Sequence, residues 1–259
     1  MRTDFETLKV NLEDGTLWVT LNRPERLNAL SRTLVEELRG VFVELYWRHD
    51  IRTVVLQGAG NNFCAGLDLK ETSGSNSEDG SAPWRGPGAG LVAQRRISEI
   101  VIAMRRCPQP IISLWNGSAA GGGFAIMLAS DVRIATPTAR GNAAFIKIGL
   151  SACDIGVSYF LPRLVGASVA SELMLTGRFI NAERSASLGL VSKIVAPDQL
   201  EGEARQLLSE MHATTPLGLR LTKECLNFSI DAAGLEAAIA MEDRNQILAS
   251  AGEDFGEGV

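Results

Sequence analysis

The chain has 259 residues, with 25 Lys and Arg against 30 Asp and Glu, a net charge of −5, and 46% hydrophobic residues. That length supports one large core, or one domain with an appended subdomain, and the acidic balance excludes a broad nucleic-acid-binding face; an anionic ligand would have to be met by local Arg and Lys. No apolar run reaches bilayer-spanning length, and the opening MRTDFETLKV has acids where a signal peptide would be apolar, which predicts a cytoplasmic protein without a membrane partner.

Cys64, Cys107, Cys153 and Cys225 are scattered without C-x-x-C spacing, and His49 and His212 are far apart. The pattern predicts four buried thiols, no disulfide framework and no metal site.

In chain order, TLWVTL (16–21) alternates as a strand with Leu17, Val19 and Leu21 on one face, and Asp14-Gly15 is the turn before it, so a strand pair opens the chain. Residues 22–30, NRPERLNAL, read as a short basic loop. From Thr33 the spacing of Leu34, Leu38, Val41, Phe42 and Leu45 predicts a helix, with Thr33 and Glu36 as a capping box. Residues 51–56 read as a buried strand running into GAGNNFCAGLDLK (58–70), a small-residue turn where a backbone donor could lie. Residues 71–90 have no apolar period and are rich in Gly, Ser and Pro, which predicts a lid, a binding loop or a disordered segment. A helical pattern resumes over 91–106 and stops at Cys107-Pro108.

The central stretch follows as WNGSAAGGGFAIMLASD (115–131), read as strand, tight loop and helix. Gly121, Gly122 and Gly123 either let a ligand approach backbone N–H groups at a helix N-terminus or let that helix pack closely on a sheet, and the two readings stand side by side. Residues 132–135 read as a strand and 143–148 as another. Asp154 precedes the apolar run 155–165 as a natural helix N-cap. A helix over 167–176 stops at Gly177, Asn181 caps a short helix through Leu188, and 190–195 reads as a strand. Beyond Pro197 the pattern is helical to about residue 250, and the tail AGEDFGEGV looks frayed.

Four stretches in order, LNRPERLNALS (21–31), NNFCAGLDLK (61–70), NGSAAGGGFAIMLASDVRIA (116–135) and ELMLTGRFINAERSASLGLVSKIV (172–195), resemble the enoyl-CoA hydratase/isomerase, or crotonase, superfamily. The resemblance implies an α/β fold, a crotonase-like superhelix of ββα turns over 1–195, with a C-terminal helical subdomain over 196–259 that makes homotrimers or dimers of trimers. It further implies an acyl-CoA thioester substrate, coenzyme A entering as part of that substrate, and no permanently bound cofactor.

Carried over residue by residue, the resemblance assigns the backbone N–H groups of Leu67 and Gly122 to the thioester oxygen. It assigns coenzyme A contacts to Arg26, Leu27, Ala29, Ala65, Leu67, Asp68, Leu69, Lys70 and Gly122. Relatives that hydrate 2-enoyl-CoA place glutamates where this chain has Ala125 and Phe145, neither of which exchanges a proton. Asp154, in GLSACDIG, resembles the catalytic aspartate of dienoyl-CoA isomerases in this superfamily, and remains readable as a helix cap. The expected activity is therefore double-bond isomerisation, the alternatives being a hydratase with other acid–base groups and an acyl-CoA-binding protein without catalysis. Asp131 reads as structural, and Lys147 as either pocket-facing or surface.

Overall fold

The computed structural model describes residues 4–74 and 87–251. It opens on a hairpin, β1 (Leu8–Glu13) and β2 (Thr16–Leu21), closed by Asp14 and Gly15, both with φ in the left-handed region at 47° and 75°. Such a two-residue turn matches the right-handed twist of the strands it joins. α1 (Arg32–Leu45) follows and lays Leu34, Leu38, Val41, Phe42 and Leu45 into the core, the predicted stripe. Its cap is Ser31, whose hydroxyl accepts from Leu34 N, and not Thr33. Glu36, freed from a capping box, pairs instead with Arg39 and Arg96.

β3 (Thr53–Gly58) lies two residues later than the sequence suggests. Of the predicted loop over 71–90, residues 75–86 lie outside the described residues; its two ends are helical, in α2 (Leu69–Gly74) and α3 (Pro87–Arg106). The central stretch holds β4 (Ile111–Trp115), a further short strand β5 (Ser118–Ala120) and α4 (Gly122–Ala129), every residue of which is buried. β6 (Val132–Ala135) is as predicted, followed by β7 (Arg140–Asn142). The strand expected over 143–148 is a 3-10 turn, Ala144–Ile148, closed by Gly149 at φ 82°.

α5 (Val157–Val165) and α6 (Ala167–Thr176) lead to β8 (Ile180–Asn181) and α7 (Ala182–Ser187), which Asn181 caps through Arg184 N. The strand expected over 190–195 shrinks to β9 (Lys193–Ile194). α8 (Leu200–His212), α9 (Pro216–Ser229) and α10 (Leu235–Ser250) complete the described chain. The tail over 252–259 lies outside the described residues.

The strands form a six-stranded sheet in the order β1-β2-β3-β4-β6-β9, parallel except for the opening hairpin, and a small sheet β5-β7-β8. Period-two alternation sends Leu17, Val19, Leu21, Val54 and Leu56 to one face, against α1, α3 and α4. Trp18, Val55, Ile112, Leu114 and Ile134 point to the other, where Leu200, Ala204 and Leu208 of α8 cover them. Both faces are dry, as a parallel sheet requires. No described helix is long and apolar enough to cross a membrane. Of the four free thiols, Cys64 and Cys107 are buried, but Cys153 is exposed and Cys225 half-buried, because their segments sit on the surface rather than in the sheet.

Candidate active site

Two parallel backbone bridges build the centre. Cys64 donates to Ser118 O at 3.1 Å and accepts from Ala120 N at 2.9 Å, pinning residues 61–68 against β5. Leu30 donates to Gly66 O at 2.8 Å and accepts from Asp68 N at 3.1 Å. Because that bridge uses the residues on either side of Leu67, the N–H of Leu67 itself is turned away from Leu30. Gly121, at φ 50° and ψ −119°, makes the corner into α4, so Gly122 is the first helical residue and its N–H has no acceptor within the helix. Among the described residues neither the Leu67 nor the Gly122 N–H has a hydrogen-bond acceptor.

The segments that carry these two donors are in contact. A Cβ on Gly66 would stand 3.3 Å from Gly122 N, and one on Gly122 would stand 4.0 Å from Gly66 Cα. Adjacent uncommitted amides, one at a helix N-terminus, suit an oxygen that gains negative charge. Of the two readings of the glycine cluster, close packing holds at Gly123, which is packed on Cys64, while Gly122 leaves the first N–H of α4 uncommitted.

Around the amides, Phe145 turns its ring toward Gly121, with Cε1 3.5 Å from where a Cβ would be, and Ala125 is fully buried within α4. Ile155 brings its Cδ1 to 3.5 Å from the corresponding point on Gly122. Its φ of 34° is a costly conformation for a β-branched residue, and Leu27, across the site at φ 53°, is strained likewise. Asp154 precedes Ile155 and is half-buried. Its carboxylate does not cap α5, where Gly156 holds the cap position without a side-chain bond; Oδ1 instead accepts from Ile155 N at 2.8 Å and from Gln94 Nε2. Burial raises the Asp154 carboxyl above the ordinary carboxylate range, against the opposing pull of those two donors.

Residues 27–30 run beside 65–68, with Ala65 N donating to Leu27 O at 3.0 Å and Ala29 buried beneath. Leu27, Leu67 and Leu69 are exposed there, and Arg26 and Lys70, exposed at the two ends, have no ion-pair partner among the described residues. Asp68 forms an ion pair with Arg23 at 3.0 Å; burial pushes its carboxyl up, but Arg23 and backbone amides outweigh this and hold it below the usual value.

Arg23, Asn28 and Gln94 escaped the sequence reading. Asn28 is buried in the left-handed region at φ 55°, accepts from Arg23 N and donates to both Ala59 O and Asn62 O, each at 2.9 Å. Asn tolerates that conformation, which was its one available signal. Asp131 is structural as expected, accepting from Ile111 N and pairing with Arg105 and Lys223, and Lys147 is exposed. Beyond Ile155 lies a cleft of about 480 Å³ between α3 and α5, lined by Val101, Ile102, Tyr159 and Phe160 with Arg106. No group of acidic, His or Cys side chains that could hold a metal occurs among the described residues.

The sequence profile of the enoyl-CoA hydratase/isomerase family matches residues 11–259. A Mycobacterium leprae protein named "Probable enoyl-CoA hydratase echA12" is 40% identical over 229 residues, 88% of this chain and 77% of that protein. The 1,2-epoxyphenylacetyl-CoA isomerase of Escherichia coli is 33% identical over 255 residues, 98% of this chain and 94% of that one. Among solved structures, the enoyl-CoA hydratase of Bacillus anthracis superposes with a TM-score of 0.89 at 30% identity, covering 98% of this chain and 94% of that one.

Proposed function

Because this chain belongs to the enoyl-CoA hydratase/isomerase family, we propose that it is an isomerase, moving a carbon–carbon double bond in an acyl-CoA thioester. The observation that carries this reading is the pairing of two uncommitted amides, at Leu67 and Gly122, with Asp154 on the adjoining turn, while Ala125 and Phe145 offer no acid or base.

In the proposed reaction the Asp154 carboxylate takes a proton from the α-carbon of a 3-enoyl-CoA. The electron pair left behind moves into the thioester carbonyl, whose oxygen becomes an enolate held by the Leu67 and Gly122 N–H groups. Asp154 then returns the proton to the γ-carbon, the electrons flow back, and the double bond settles between the α- and β-carbons. Burial suits this cycle, since an acid held above the ordinary carboxylate range gives its proton back more slowly to water and keeps it for the substrate. Each enolate-stabilising donor is worth on the order of 3 kcal/mol in such sites.

The same reading gives coenzyme A the groove of Leu27, Ala29, Ala65, Leu67 and Leu69, with Asp68 holding its shape through Arg23 and with Arg26 and Lys70 meeting phosphates. The acyl end points past Ile155 toward the apolar cleft. We also place a homo-oligomer, trimer or dimer of trimers, through α9 and α10, whose buried residues are limited to Lys223 and Asn245.

The name of the Mycobacterium leprae relative supports a second reading, hydration of a 2-enoyl-CoA. Assaying 3-enoyl-CoA isomerisation beside 2-enoyl-CoA hydration separates the two. Isomerisation that collapses in Asp154→Asn supports the proposal; hydration that is fast and untouched by that substitution overturns both the reaction and the residue. Tight acyl-CoA binding with neither product would mark a binding protein.

A further inference from the structure

We propose that Gln94 is a positioning residue for this proton transfer, its amide reaching from α3 to fix Oδ1 of Asp154 so that Oδ2 is the oxygen that carries the proton. The inference rests on the reading of Asp154 as the base, and concerns how that base is held.

Oδ1 accepts two hydrogen bonds from independent parts of the chain, the Ile155 N–H and the Gln94 Nε2, sixty residues away in sequence. Oδ2 has no partner among the described residues. A carboxylate anchored at one oxygen by crossing donors loses its rotational freedom, and its second oxygen keeps lone pairs open to one direction. The turn that supplies the backbone donor is itself held in an unfavourable geometry, with Ile155 at φ 34°, so the direction of that N–H is set by the fold.

The choice of a neutral amide matters. A base that must also return its proton cannot be locked in one state, as it would be by a cation alongside. Gln94 stabilises the carboxylate, offsets part of the burial penalty and has no proton to exchange. Three of the four cations of α3 are committed elsewhere: Arg95 faces Glu99 at 3.8 Å, Arg96 faces Glu36 at 3.0 Å and Arg105 faces Asp131 at 3.0 Å, while the fourth, Arg106, lines the cleft with Ile155 and Gly156 and is not among the influences on the Asp154 carboxyl. Among the described residues the influences on the Asp154 carboxyl are burial, Ile155 N–H and Gln94, with no charged side chain from α3, α5 or the turn among them.

The test measures 3-enoyl-CoA isomerisation against pH in the full-length protein, for wild type, Gln94→Met, Gln94→Lys, Asp154→Asn and the Gln94→Met/Asp154→Asn pair, with folding checked by circular dichroism. Gln94→Met should lower kcat roughly tenfold, the usual worth of a hydrogen bond to a charged group. KM should stay within about twofold, since no binding contact is lost. The acid limb of the kcat profile should move to higher pH in Gln94→Met and to lower pH in Gln94→Lys, opposite signs that a merely structural side chain would not produce. In the Asp154→Asn background the Met substitution should have no further effect. If Asp154→Asn is strongly slowed while Gln94→Met leaves both kcat and the acid limb unchanged, or slows the residual turnover of the double variant further, the positioning role is overturned and Asp154 stands. If Asp154→Asn is itself fully active, the failure lies with the base and not with Gln94.

Discussion

Gly123 lies so close to Cys64 that a Cβ on it would stand 2.2 Å from the Cys64 carbonyl oxygen and 2.6 Å from the Cys64 Cβ. Those atoms belong to a backbone bridge and a fully buried side chain, so nothing there can yield. At Gly122 the tightest contact of a new Cβ is Leu30 Cδ1 at 2.8 Å, the end of a flexible side chain. Gly123→Ala should therefore give insoluble or unfolded protein. Gly122→Ala should fold with a near-native circular dichroism spectrum, yet lose roughly 10² to 10³ in kcat by displacing an oxyanion donor. A fully active Gly122→Ala would remove Gly122 from the chemistry.

How much of this was legible in the sequence follows the range of the interactions involved. Strand alternation at Leu17, Val19 and Leu21 and the stripe from Leu34 to Leu45 are local periodicities, and the structure repeats them. Phe145 defied the reading because its apolar run is short enough to serve strand or turn, and Gly149 in the left-handed region settles it as a turn. Asp154 could be singled out by its place in an ordered set of motifs, but its partner Gln94 could not. That bond crosses between distant segments, and a Gln on a helical pattern has no local signature. Likewise Ser31, not Thr33, caps α1 because Ser31 is fixed by its chain neighbours on the bridge at Leu30.

Lys223 fastens α9 to the core. Its buried ammonium pairs with Asp131 Oδ2 at 2.9 Å and donates to Gln109 O at 2.7 Å and Met104 O at 3.1 Å, closing the end of α3. Lys223→Met would take a donor from two carbonyls and from one carboxylate oxygen, although Asp131 keeps Arg105 on Oδ1 at 3.0 Å and the Ile111 N–H on Oδ2 at 2.8 Å. Because Arg105 and the Ile111 N–H stay on Asp131, the expected loss is at the low end for a broken buried pair, about 3 kcal/mol. A chemical denaturation midpoint unchanged from wild type would show that the clasp adds no stability.

α9 and α10 expose Leu226 at 67%, Leu235 at 76% and Ile247 at 69%, more apolar surface than a helix pair facing water retains. If these faces build the proposed homo-oligomer, Leu226→Glu with Leu235→Glu should shift sedimentation from an oligomer to a monomer at micromolar concentration. The core sheet, whose far face is covered by α8, should remain folded. An unchanged sedimentation coefficient would place the interface elsewhere.

Asp154 gives the sharpest pH signature. Burial raises its carboxyl above the ordinary 3.8, so the folded chain holds that proton more tightly than the unfolded chain does. Below pH 3.8 both forms are protonated and the folded state keeps the full benefit. As pH rises through the folded value the benefit is lost, and at neutral pH the ionised side chain weighs against the fold. Asp154→Asn keeps an oxygen for the Ile155 N–H and Gln94 to bind, and carries no charge to bury. It should thus raise the thermal midpoint at pH 7, and the advantage over wild type should fade as pH falls toward 3.8. Turnover should fall roughly 10² to 10⁴ in the same variant, with acyl-CoA affinity nearly intact. A residue that stabilises when neutralised and abolishes activity when lost is retained for chemistry. If Asp154→Asn instead lowered the midpoint at neutral pH and left turnover alone, its carboxylate would be a structural anchor for the turn at Ile155.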